Sequence, residues 1–322
     1  VQTVRAVATT PVADSGRVQQ IGGMFDLGVP ERVETTFEAE IPDLQDDWRI
    51  GAIVGPSGSG KSTIARKAFG RQLYTRRPWP KAVAIVDCFG KRTTREITNM
   101  LTAVGFSSPP AWIRPYRTLS NGEQFRADLA RALLTGGELV AYDEFTSVVD
   151  RTVAQVGSAA VAKSIRKGIV AGRFVAITCH YDILPWLEPD WVLDTSDWSL
   201  TRRRLRRPKL TLEIRRCLSD AWTLFKRHHY LSANLHRSAR CFLGVCRDRP
   251  IAFAAVLPSP GKVGSRRISR VVVLPDWQGI GVGRAPGNGA RLRSICCRPV
   301  RTSSKTNRFP GSASRSAWCS NH

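Results

Sequence analysis

Eight consecutive residues, Gly55-Pro56-Ser57-Gly58-Ser59-Gly60-Lys61-Ser62, follow an apolar run and open an amphipathic stretch. Glycines at this spacing leave backbone N–H groups free to wrap an anion at the positive end of a helix. A lysine placed there can reach the outer phosphates of a triphosphate, and the Ser62 hydroxyl can ligate Mg²⁺. Thr63 completes the candidate set. The pattern G-x-x-x-x-G-K-[ST], in a strand-loop-helix context, reads as a phosphate-binding loop.

A second feature lies downstream. The apolar run Leu139-Val140-Ala141-Tyr142 ends in two adjacent carboxylates, Asp143 and Glu144. A carboxylate at the C-terminal end of a strand can hold a metal shell, and a neighbour can deprotonate an attacking water. Asp143 is therefore the candidate metal ligand, with Ser62, and Glu144 the candidate general base.

The elements that must position these groups follow from periodicity. Ile50 to Val54, Ala82 to Val86, Leu139 to Tyr142 and Phe174 to Thr178 read as buried strands. Ser62 to Leu73, Thr94 to Val104, Glu123 to Leu134 and Arg151 to Arg166 read as helices. Such alternation predicts an α/β fold with a mainly parallel sheet covered by helices. Trp191 to Arg204 reads as a closing strand pair. The Ala/Thr/Val-rich stretch up to Gln20 shows no clear period and is expected to be poorly ordered.

Between the two motifs stands Leu119-Ser120-Asn121-Gly122-Glu123-Gln124, which resembles the Leu-Ser-x-Gly-[Glu/Gln]-Gln signature of the ABC ATPase family. Ser120 and Glu123 also suit an ordinary capping box at a helix start. Two further resemblances keep the family's order: Ser147 to Asp150 stands where its D-loop would be, and His180 where its switch histidine would be. The resemblance covers roughly residues 20 to 200. It implies a P-loop NTPase fold and ATP with Mg²⁺. It also implies nucleotide contacts from Gly55 to Thr63, Ser120, Gly122, Glu123 and Asp150, catalytic roles for Glu144 and His180, and a head-to-tail homodimer with ATP between the copies.

The sequence departs from the family in two ways. Only 58 positions separate Lys61 from Leu119, so the intervening helical region is short. No glutamine follows Ala82 to Val86 where the family's Q-loop is expected, and Asp87 is the candidate replacement. The aromatic that would stack on adenine is either Phe25 or Phe37.

Beyond the basic run Arg202 to Arg207, Ser219 to Arg227 reads as a helix, Cys241 to Cys246 and Ile251 to Leu257 as a hairpin, and Ile268 to Leu274 as a strand. Gln278-Gly279-Ile280-Gly281-Val282-Gly283 resembles the pyrophosphate loop of GNAT-type acetyltransferases. That resemblance implies acetyl-CoA contacts from Gln278, Gly279, Gly281 and Gly283. It would make the whole chain an ABC-type ATPase fused to a partial α+β acetyltransferase-like domain. Pro286, Gly287, Asn288 and Gly289 oppose the helix that fold needs next. The expected divisions are thus 1–20, an ATPase domain 21–207, a partial GNAT-like domain 208–283, and a tail 284–322 that reads as disordered or out of its natural frame.

The formal net charge is +23, but residues 1–200 hold 23 basic and 22 acidic side chains, whereas residues 201–322 hold 26 and 4. The basic half leaves open a nucleic-acid partner switched by ATP. A third reading is the ATP-binding subunit of a transporter. No apolar run of membrane-spanning length exists and the N-terminus lacks a secretory core, so a cytoplasmic location is expected. The eight cysteines form no C-x-x-C pair and read as reduced thiols.

Overall fold

The computed structural model describes residues 1–202, 210–229, 234–246, 248–259 and 266–282. Gly283, most of the basic run after Arg202, and the tail from 284 lie outside the described residues.

The chain opens with a long hairpin. Strand β1 (Gln2–Pro11) pairs antiparallel over its full length with β2 (Arg32–Ile41), and helix α1 (Gly16–Met24) forms the connection. The N-terminal twenty residues are therefore structured, against expectation. Val4 and Ala6 from β1 and Ala39 and Ile41 from β2 are buried, and they pack in one cluster with Ile53, Ile64 and Phe69. The period-two burial was hidden because alanine and threonine carry little hydropathy contrast.

The central sheet has six strands in the order β4-β5-β6-β3-β7-β8. These are β3 (Ile50–Val54), β4 (Leu73–Tyr74), β5 (Leu139–Tyr142), β6 (Arg173–Thr178), β7 (Trp191–Asp194) and β8 (Ser199–Thr201). All pairings are parallel except β7 with β8. Every residue of β3 and β5 is buried, the mark of a parallel sheet covered on both faces. One face carries α2 (Lys61–Phe69) and the hairpin. The other carries α3 (Thr94–Ala103), α4 (Pro109–Trp112), α5 (Asn121–Thr135), α6 (Arg151–Arg166) and α7 (Leu184–Leu187).

Two expectations are corrected in this lobe. Ala82 to Val86 is not a strand: Ile85–Cys88 forms a 3-10 turn, and Ala84 makes only an isolated bridge to Pro115. Ile85, fully buried in the main core, accounts for the apolar run, and a short apolar run fits a buried turn as well as a strand. The helix expected to run to Leu73 ends at Phe69, and Leu73–Tyr74 becomes the edge strand β4.

The second lobe is a four-stranded antiparallel sheet, order β12-β11-β10-β9, from β9 (Glu213–Cys217), β10 (Arg240–Cys246), β11 (Arg249–Pro258) and β12 (Arg266–Val273). The hairpin and following strand stand as expected. The helix expected over Ser219 to Arg227 is instead two 3-10 segments, Ser219–Leu224 and Lys226–His228. Trp222 and Phe225, three positions apart, both pack on Phe253, a spacing that the tighter helix aligns better than an α-helix does.

Candidate functional site

The loop Gly55–Gly60 leaves the C-terminal end of β3 and enters α2 at Lys61. Gly60 has φ +87°, and a Cβ there would fall 2.6 Å from the Phe37 ring. Only glycine meets both the left-handed backbone and the close ring, so the loop's shape depends on that residue type. Phe37 thus lies against the loop, whereas Phe25 is exposed at the end of α1. Of the two aromatic candidates, Phe37 is the one that lines the loop's cleft.

That cleft has a volume of about 490 Å³. Its lining brings together Ser57, Gly58, Gly60, Lys61, Ser62 and Thr63 from the loop and α2, and Asp143 and Glu144 from the end of β5. The Ser62 hydroxyl donates to Asp143 Oδ1 at 2.9 Å, and the Glu144 N–H donates to the same oxygen at 3.0 Å. Lys61 Nζ donates to the carbonyls of Gly55 at 2.9 Å and Pro56 at 2.5 Å. Burial lowers the Lys61 pKa below the usual lysine value, against the opposing influence of Cys179 and Asp143. Ser59 Oγ shares a 2.5 Å hydrogen bond with Thr195 Oγ1, which ties the loop to the turn after β7.

Glu144 is exposed and sits at φ +51°, in the left-handed region that costs a non-glycine residue about 1 kcal/mol. Two residues on, Thr146 is fully buried at φ +69°, and its Oγ1 lies 3.2 Å from His180 Nδ1. The tight path from Asp143 to Thr146 therefore sets Glu144 on the cleft and ties His180 to the same turn. Burial, and then the charge of Arg151, lower the His180 pKa below the ordinary histidine value. Asp150 caps α6, accepting from the N–H groups of Thr152 and Val153.

Ser120 and Glu123 stand away from this cleft, at the start of α5, in a complete capping box. Glu123 Oε2 accepts the Ser120 N–H at 2.9 Å, and Ser120 Oγ accepts the Glu123 N–H at 3.3 Å. Gly122 follows on the same first turn, where its carbonyl accepts from Arg126. Asp87 is exposed in the 3-10 turn and does not line the cleft. Sequence reasoning missed several contributors: Ala8, Thr10 and Thr35 of the hairpin and Phe145, Ile177, Thr178 and Cys179, which line the cleft, and Thr146, which meets His180. The available signal for the hairpin was the alternation of Val33, Phe37, Ala39 and Ile41 with Glu34, Thr36, Glu38 and Glu40 in β2.

The Gln278 to Gly281 loop is packed on the first lobe. Gln278 Oε1 accepts the Ser107 N–H at 3.0 Å, and Lys163 Nζ donates to the Gly279 carbonyl at 2.8 Å. Gly279 has φ +92°, and a Cβ there would meet Gly105 Cα at 2.8 Å and Ala160 Cβ at 2.9 Å. These contacts fill one side of the loop with protein, so the described residues do not fit a backbone cradle for a pyrophosphate at Gln278 and Gly279. Close by, Arg126 of α5 is buried with Nε and Nη2 unpartnered among the described residues. Asp276 supplies the strongest opposing charge to its desolvation.

No family model matches the chain. An aliphatic sulfonates import ATP-binding protein, SsuB 1 of Streptomyces avermitilis, is 31% identical over 172 residues, covering 46% of this chain and 61% of that protein. A methionine import ATP-binding protein, MetN of Cutibacterium acnes, is 30% identical over 142 residues, 31% of this chain and 38% of the relative. The matches thus span about three fifths and two fifths of those relatives. Among solved structures, a dimeric ATP-binding cassette with ADP and phosphate aligns with TM-score 0.45 at 14% identity, over 64% of this chain and 99% of the other. The cbiO1 protein of Clostridium perfringens aligns with TM-score 0.37 at 17% identity, over 45% and 72%. Among the described residues, no helix is long and apolar enough to cross a membrane. The first lobe thus combines a mainly parallel sheet, a phosphate-binding loop after β3 and a carboxylate at the end of β5, the arrangement of a P-loop fold, and over the matched segment its sequence is similar to import ATP-binding proteins.

Proposed function

We propose that the chain binds Mg-ATP in the cleft between the Gly55–Gly60 loop and Asp143 and hydrolyses it. The observation that carries this reading is the 2.9 Å contact from Ser62 to Asp143 beside Lys61. A hydroxyl and a carboxylate side by side are hard oxygen donors of the kind Mg²⁺ takes. When bound, the ion would offset the charge of the β- and γ-phosphates.

The chain's own groups supply the rest. Loop N–H groups and Lys61 hold the phosphates, for which Lys61 must exchange the Gly55 and Pro56 carbonyls for phosphate oxygens. Glu144, exposed on the cleft, accepts the proton of the attacking water as its oxygen bonds to the γ-phosphorus and the bond to the bridging oxygen breaks. His180, kept neutral and tied to Thr146, orients the outer phosphate. The location of Ser120, Gly122 and Glu123 on another face supports a head-to-tail homodimer in which they meet the nucleotide of the second copy. Hydrolysis assays of the wild type, Lys61→Ala and Glu144→Gln test the reading. Activity in the wild type that both substitutions remove supports it, and activity insensitive to both contradicts it.

What hydrolysis drives admits two readings. Both sequence relatives are named as import ATP-binding proteins, which favours service to a transport system. The resemblance of the second lobe to acetyltransferases favours acyl transfer, and for that the Gln278 to Gly281 loop would have to leave its contacts on the first lobe. The basic stretch around Arg202, as a nucleic-acid grip, has no further structural support among the described residues.

A further inference from the structure

A second cleft, of about 730 Å³, lies between the two lobes and is separate from the phosphate-loop cleft. The first lobe contributes Asn99, Thr102, Ser107, Lys163 and Lys167, and the second contributes His228, His229, Trp277 and the strand Val271 to Val273. Its chemistry is lopsided in a useful way. Two lysines one helical turn apart line it, together with amide and hydroxyl groups, and among the described residues no carboxylate does. The second lobe adds apolar groups beside its two histidines: Val271 and Val273, on one face of β12, and Trp277. The volume falls within the range that encloses small organic ligands.

We propose that this inter-lobe cleft binds an anionic organic ligand. Its carboxylate or phosphate group meets Lys163 and Lys167, and its apolar body lies on Val271, Val273 and Trp277. Lys163 already donates to the Gly279 carbonyl, and its Nζ is 3.5 Å from where a Gly281 Cβ would stand. Its position is thus set by the loop that closes the cleft, while Lys167 is exposed. The ligand is held by side chains from both lobes, and its binding strengthens their docking. This site does not depend on the nucleotide reading, and its test separates the two.

The probe is 8-anilinonaphthalene-1-sulfonate, an anionic dye that brightens on apolar surfaces, titrated into the full chain. Saturable binding is expected, with affinity at least fivefold weaker in Lys167→Glu and tenfold weaker in the Lys163→Glu/Lys167→Glu double variant. Lys167→Glu, at an exposed position, keeps the test valid if the double variant fails to fold. Octanoate or octyl phosphate should displace the dye, and the two distinguish a carboxylate from a phosphate ligand. Octanol, which lacks the charge, should not. Dye affinity unchanged by Lys167→Glu, or equal displacement by octanol, overturns the proposal. So does loss of the signal on adding Mg-ATP, which would put the dye in the phosphate-loop cleft.

Discussion

The Ser62 hydroxyl donates to Asp143 Oδ1 at 2.9 Å across 81 positions of chain. The contact joins the first turn of α2 to the end of β5. Two strands separated by β6 in the sheet are thereby brought to one corner, the proposed Mg²⁺ site. Asp143→Asn preserves the size of the side chain and a hydrogen-bonding oxygen but removes the charge. Nucleotide affinity in this variant should lose most of its dependence on Mg²⁺, read from titrations with and without the ion. A retained, wild-type response to Mg²⁺ would show that Asp143 is not a ligand.

Glu144 is set on the cleft by a left-handed backbone, and its proposed work is proton transfer. Glu144→Gln should lower hydrolysis by about 10²- to 10⁴-fold, the usual worth of a general base, with nucleotide binding retained. The same variant should accumulate as a dimer at saturating Mg-ATP in analytical ultracentrifugation. A variant that stays monomeric there contradicts either the role of Glu144 or the dimer.

His180 carries a pH prediction with a definite sign. Its folded-state pKa is depressed by burial and by Arg151. The folded state therefore favours the neutral ring, and the unfolded chain takes up the proton first on acidification. The stability that His180 contributes is present above the ordinary histidine value of about 6.5 and is lost as pH falls through the lower folded value. The difference in unfolding midpoint between wild type and His180→Gln should shrink below pH 6.5. A difference that widens on acidification would reverse the assignment.

Asp190 holds the sheet to the helices. Its carboxylate accepts from the N–H groups of Arg49 and Ile50 at 2.9 and 3.0 Å and pairs with Arg166 at 2.6 Å. Burial alone would raise its pKa, but Arg166 and the two N–H groups outweigh that and lower it. Asp190→Ala leaves a part-buried guanidinium and two backbone donors without their acceptor. Unfolding free energy should fall by about 2–4 kcal/mol, measured by denaturant titration near neutral pH. The loss should diminish as pH falls below the carboxylate range, where the wild type loses the same charge.

The phosphate loop was legible in the sequence because its chemistry is local: glycines, Lys61 and Ser62 are contiguous, and the strand before them is apolar throughout. Asp143 and Glu144 were legible for the same reason. Thr146 was not, because its role depends on a buried left-handed turn that no spacing announces. The hairpin β1–β2 was missed because the Ala/Thr-rich β1 gives weak alternation and offers no visible partner for the clearly alternating β2, and it supplies Ala8, Thr10 and Thr35 to the cleft. Ala82 to Val86 was misjudged because a short apolar run does not distinguish a strand from a buried turn. The docking of Gln278 and Gly279 on Ser107, Gly105 and Lys163 is a long-range fit, and nothing local in a Gly-rich turn shows whether it faces a ligand or a neighbouring helix.

The central claim is that the Gly55–Ser62 loop binds a nucleotide triphosphate, and calorimetric titration of the full chain with Mg-ATP tests it most directly. Lys61 is the charged donor of the loop, and a hydrogen bond to a charged group contributes about 1.5–3 kcal/mol. The account predicts one saturable site in the wild type and a roughly ten- to hundredfold weaker one in Lys61→Ala. No heat of binding in the folded wild type, or equal affinity in Lys61→Ala, would contradict it.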